Sequence, residues 1–159
     1  MLTAYEWDLE ERAEDALVTH LKAHISRRHM IIPARTVAVA TFPLIVVEAE
    51  PSDNATEDAT FNGVRRLDLT VNITTEAMDE PDVGEPESLE TARQIHRKVK
   101  SEVINALASV NLADHLNNTK TPGIVFSMAH MTDQDRDQGD HKLITMQAID
   151  VIVSPAEIT

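Results

Sequence analysis

The chain reads as an α+β fold: a mostly antiparallel sheet of about four strands with two main helices packed on one face, in the order α-β-β-α-β-β, within a single domain spanning residues 1–159. Three stretches carry that reading. In the run from Arg66 to Thr74, apolar side chains fall on every second position, so Leu67, Leu69, Val71 and Ile73 share one face of a strand. Further on, Ala92, Ile95, Val99, Val103, Ala106 and Leu107 recur at spacings of three and four, which turns one stripe of a helix toward a core. Leu44-Ile45-Val46-Val47 is an unbroken apolar run, short enough to be a strand buried on both faces and placed centrally.

The remaining elements follow in order. From Trp7 to Ile25, the positions Leu9, Ala13, Ala16, Leu17, Leu21 and Ile25 make a helical stripe, with Glu10, Glu11, Glu14 and Asp15 mostly outside it. Acidic residues crowd its start and Lys22, Arg27 and Arg28 its end, the favourable sense for the helix dipole. Residues 28–41 hold short apolar runs split by Pro33 and read as a connector with room for short strands. Ala49 to Gly63 is a long polar hairpin connection, read either as functional or as a disordered tip. Glu76 to Glu90 is acidic throughout, with Pro81, Gly84 and Pro86 opposing regular structure, and the second helix opens at Pro86 or Ser88. After Leu107, residues 111–116 form one capped helical turn and Asn117 to Gly123 a loop. Strands follow at Ile124–Met128 and Leu143–Val153. In the last, Ile144 and Met146 are out of phase with Ile149, Val151 and Val153, which a bulge or two-sided burial would reconcile.

Composition excludes several classes. With no cysteine, neither a disulfide framework nor a thiolate zinc site can form. No apolar run approaches the roughly 20 residues that span a bilayer, and the start lacks a signal-peptide pattern, so no membrane partner or export by that route is expected. A formal charge of −13 argues against a duplex-binding surface, although an acidic wall suits a conduit through which DNA slides without sticking. Three Phe, one Trp and one Tyr are too few for a base-stacking platform.

Candidate sites are sparse. Asp133, Asp135 and Asp137 alternate like the start of a calcium loop, but the sixth and twelfth places, Gln138 and Ile144, break the pattern; an exposed hairpin loop between the last two strands is the better reading. His20 and His24, four apart on the first helix, could face a metal together, yet no further ligands stand in register, and the histidines read as surface or boundary residues. Four glycines leave no phosphate-cradling loop, and no serine sits in a nucleophile elbow. No enzyme mechanism and no cofactor are expected. The second helix carries the strongest basic cluster, Arg93, Arg97, Lys98 and Lys100, which is either a solvated face or a patch that meets an acidic segment of a neighbouring copy.

Together these elements resemble the tail-terminator and tail-completion proteins of tailed bacteriophages. The likeness rests on the N-terminal helix with Ala13, Ala16, Leu17 and Leu21, the Pro43-Leu-Ile-Val-Val strand, and the Leu67-x-Leu-x-Val-x-Ile strand. It continues through the helix with Ala92-Arg93-Gln94-Ile95 and Val99 and the closing strand from Leu143. It covers most of the chain by element order and apolar pattern, and departs in the length of the two acidic connections. The resemblance implies a homo-oligomer, a hexameric ring that ends tube growth at the head-proximal end of the tail, contacts the tail-tube protein and the head-tail connector, and lets DNA through its bore. It further implies a virion protein of the tail and neck, assembled in the host cytoplasm. On that reading Arg93, Arg97, Lys98 and Lys100 join subunits, and the acidic loop bearing Glu76, Asp79, Glu80, Asp82 and Glu85 lines or rims the bore. The alternatives are a head-side connector or stopper and a small acidic binding or inhibitor module.

Overall fold

The computed structural model describes residues 2–3, 6–25, 30–36, 43–51, 64–76, 88–138 and 142–158. In chain order these form β1 (Leu2–Thr3), α1 (Glu6–His24), β2 (Met30–Pro33), β3 (Leu44–Pro51), β4 (Arg65–Glu76), α2 (Ser88–Leu107), α3 (Leu112–Asn117), β5 (Ile124–Gln138), β6 (Lys142–Pro155) and β7 (Glu157–Ile158). The α+β class holds, with two corrections to its detail. Five strands, in the order β2-β3-β4-β6-β5, make a mixed sheet in which β2 runs parallel to β3 and every other pairing is antiparallel; β1 and β7 pair separately. A third, short helix joins the two expected.

The extra strand comes from the stretch read as a connector. Met30–Pro33 is too short to show a period, but it pairs along Leu44–Val47, and its proline is tolerated at the end of an edge strand. β3 is therefore internal but next to the edge. Its burial is one-sided: Ile45 and Val47 are fully buried while Leu44 and Val46 are half-buried.

β4 pairs with β3 on one side and with β6 along its whole length on the other. Leu67, Leu69, Val71 and Ile73 point into the core with Ile149, Val151 and Val153 of β6 beside them. α1, α2 and α3 cover this face, α1 reaching β2, β3, β4 and β6, α2 lying on β4 and β6, and α3 on β5. Each fully buried Leu, Ile or Val contributes on the order of 1.5–3 kcal/mol, so this layer dominates stability.

β6 needs neither bulge nor two-sided burial. Leu143, Thr145, Gln147, Ile149, Val151 and Val153 alternate inward without a break, because two polar residues occupy core positions, and Ile144 and Met146 fall on the opposite face. The irregularities lie in β5 instead, between Phe126 and Met128 and between Met131 and Gln134. The expected capped turn is helix α3, anchored by buried Leu112 and Leu116, but Asn111 makes no side-chain cap; its own N–H donates to Ser109 Oγ at 3.1 Å. Asn117 then fastens the loop to β5, its Oδ1 accepting from the Phe126 N–H at 2.7 Å and its Nδ2 donating to the Phe126 carbonyl at 2.9 Å.

Buried polar residues tie the helices to the sheet. Glu14, expected off the core stripe, is buried: its Oε2 accepts from the Ala49 N–H at 2.8 Å and its Oε1 from Arg35 at 2.6 Å. Arg35 also reaches Asp15 and the Glu11 carbonyl. The pairing of β2 with β3 ends at Val47, so Ala49 presents the next N–H on an edge that β2 no longer covers, and the carboxylate supplies its acceptor. On α2, His96 is buried with Nδ1 3.0 Å from Thr75 Oγ1 and Nε2 2.7 Å from Thr145 Oγ1, joining the helix to β4 and β6.

Candidate functional site

Two surfaces lie on opposite sides of the sheet, and they differ in charge. The first is the outward side of α2. Arg97 and Lys98 are exposed there with Gln94, Ser101 and Asn105, whereas Arg93 and Lys100 are half-buried at its margin. The four basic residues thus divide into two that project and two that lie against the body. Ile95, expected in the core stripe, is 41% exposed at the edge of this surface, because His96 occupies the core-facing position instead.

The second surface is the sheet face that no described helix covers. Register places Val46, Asn72 and Met146 in one cross-strand row, Glu48, Thr70 and Ala148 in the next, and Glu50, Asp68, Asp150 and His130 in a third. Met146 is 41% exposed, and Val46, Ile144 and Ile152 are half-buried, so a broken apolar patch runs across it. Asp150 is buried under a two-pronged contact from Arg66, whose Nε donates to Oδ1 at 3.0 Å while its Nη2 donates to Oδ2, and His130 Nε2 lies 4.0 Å away. The hydrogen bond and charge of Asp150 raise the pKa of Arg66 above its ordinary value. Glu48 and Glu50 are exposed and have no ion-pair partner among the described residues.

The other sequence candidates separate. Asp133, Asp135 and Asp137 belong to β5, with Asp135 opposite Met146 and Asp137 opposite Ile144 in the ladder, so the segment is a strand and not the hairpin loop expected of it. Glu76 ends β4 opposite Lys142; Asp79, Glu80, Asp82 and Glu85 lie outside the described residues.

His20 and His24 do meet, with ring centroids 4.5 Å apart, and His115 of α3 stacks on His20 at 5.7 Å. The three rings and Thr119 border a crevice of about 310 Å³. Among the described residues no three His, Asp or Glu side chains are placed to hold a metal ion together. His20 is a core residue, against expectation: it is buried, and its Nε2 hydrogen-bonds the Ala106 carbonyl at 2.7 Å in the last turn of α2, where helix carbonyls lack internal donors. Burial first, then the neighbouring His24 and His115, push its pKa below 6.5, more than the carbonyl contact offsets.

The sign of the consequence is fixed. As pH falls below about 6.5 the unfolded chain takes up a proton that the folded His20 refuses, so stability drops with acidification down to the lowered folded pKa. Between pH 7.5 and 5 the melting temperature of wild type should fall relative to that of His20→Leu; parallel curves would remove His20 from the account.

No family model and no curated protein matches the chain. Several solved structures are similar, among them one at 15% identity over 94% of each chain with a TM-score of 0.44.

Proposed function

We propose that the protein is a structural virion subunit that forms a ring, of six copies on the family resemblance, at the head-proximal end of a phage tail. It ends tube polymerisation and joins tail to neck, with DNA passing through the bore. The observation that supports this reading most is the pair of opposed surfaces: one side of the sheet offers exposed Arg97 and Lys98, the other exposed Glu48 and Glu50 beside an apolar patch. A subunit with unlike patches on opposite sides packs head to tail, and head-to-tail contacts close into rings when the rotation allows. The net charge of −13 suits a bore that repels phosphate.

Mass photometry of the protein, alone and with tail-tube protein, tests the proposal. A species of ring mass, together with shorter tubes when the protein is added during tube growth, is the expected result. Monomers under both conditions, with tube length unaffected, would rule it out.

A further inference from the structure

We propose that the occupant of the sheet face that no described helix covers is a second copy of this chain, which lays the outer side of its α2 there, with Arg97 and Lys98 set against Glu48 and Glu50. This rests on the side-by-side assembly proposed above and specifies which surfaces meet.

Both partners are on the molecule. Glu48 and Glu50 are two apart on β3, hence on one face and about 7 Å apart, and both are exposed. Asp68 and Asp150 stand in the row of Glu50, with Asp150 held by Arg66 and the Asp68 charge also acting on Arg66. The face therefore carries exposed carboxylates on β3 next to Val46, with Met146 two strands away across Asn72. On α2, Arg97 and Lys98 are exposed without ion-pair partners among the described residues, and Ile95, three residues before Lys98 and so beside it, is 41% exposed. Apolar side chains on both surfaces would supply area while the opposite charges set register and suppress wrong pairings.

Charge also selects against the simplest alternative. Two copies meeting sheet face to sheet face would crowd Glu48 and Glu50 of both into one layer, and like charges at an interface are costly. Seating α2 on the sheet face avoids that clash. Because the two surfaces lie on opposite sides of each copy, every contact leaves one free surface of each kind, so addition continues and closes into a ring when the rotation at each contact allows.

Charge exchange in the full chain tests the pairing. Glu48→Lys with Glu50→Lys, and separately Arg97→Glu with Lys98→Glu, should each weaken self-association at least tenfold by mass photometry or sedimentation. The chain carrying all four substitutions should recover it, because the signs are exchanged and the match is restored. All four residues are exposed, and an unchanged melting temperature confirms folding; Glu48→Gln with Lys98→Gln gives a milder pair that should weaken association in the same direction. If Arg97→Glu with Lys98→Glu associates like wild type, or the fourfold variant does not recover, the pairing is wrong while ring assembly stands. If wild type itself stays monomeric both alone and with tube protein, the underlying assembly proposal fails with it.

Discussion

Replacing Arg35 with leucine should destabilise the fold by about 2 kcal/mol at pH 7, with the loss shrinking as the pH falls. Glu14 is sealed between α1 and β3, and burial raises its pKa above the ordinary 4.5 even though the Ala49 N–H and Arg35 pull the other way. Removing the cation leaves a buried carboxylate with one hydrogen bond. Stranding a buried charge costs roughly 3–5 kcal/mol in a dry interior, and the cost here falls below that range, to about 2 kcal/mol, because the Arg35 side chain is 35% exposed and water screens the pair. A raised folded pKa means that the ionised form opposes folding, so the variant's deficit grows as pH climbs through Glu14's titration and is small near the unfolded value of 4.5. Urea denaturation of both proteins at pH 7 and pH 4.5 measures this directly. An equal deficit at both pH values would mean that Arg35 acts by packing alone. Adding Glu14→Leu to Arg35→Leu should recover the charge component and leave the orphaned Ala49 N–H, a residual of about 1 kcal/mol.

Glu14 also shows how much of the structure could be read from the amino-acid order. The α+β class and both long helices follow from apolar periodicity, and so does the inward face of β4. Periodicity also located residues that their chemistry disguised. Glu14 stands three residues before Leu17, four before Val18, seven before Leu21 and eleven before Ile25, all buried, so its position is a core position. His96 precedes Val99 by three, Val103 by seven and Leu107 by eleven, again all buried, while the apolar Ile95 beside it points outward. Reading hydrophobic identity in place of angular position assigned each of these wrongly. Thr145 and Gln147 disguised the phase of β6 in the same way, and a buried Gln147 is affordable only because its Nε2 donates to the Thr132 and Ala148 carbonyls at 3.0 Å.

What periodicity could not supply was anything decided by pairing at a distance. β2 is strand because β3 lies alongside it, and no four-residue stretch announces such a partner. The interaction surfaces were half legible. The basic cluster is visible as a run, but only the turn of α2 separates Arg97 and Lys98, which project, from Arg93 and Lys100, which do not. Exposed Glu48 and Glu50 lie within β3, where sheet register sets them opposite Thr70 and Asp68, and no acidic run announces them.

His96→Leu should be the most damaging single change among the polar residues, at about 2–4 kcal/mol, because the side chain keeps its volume but loses both partners at once. Thr75 and Thr145 are more buried than the ring itself, at 2% and 1% exposure against 5%, so neither hydroxyl can turn to water once the imidazole is gone. A neutral imidazole offers one N–H and one lone pair, which a hydroxyl donor on one side and a hydroxyl acceptor on the other satisfy in full. The arrangement specifies where α2 sits: the helix can neither slide nor rotate on β4 and β6 without breaking both contacts, and the direction in which Arg97 and Lys98 project is fixed with it. Adding Thr75→Val and Thr145→Val to His96→Leu replaces both hydroxyls as well as the ring and should return most of the stability, since removing hydrogen-bond partners together costs far less than stranding some. In urea titrations the triple variant should therefore be more stable than the single one. A triple variant less stable than His96→Leu would mean that the threonines hold the sheet by themselves and that the histidine only fills space.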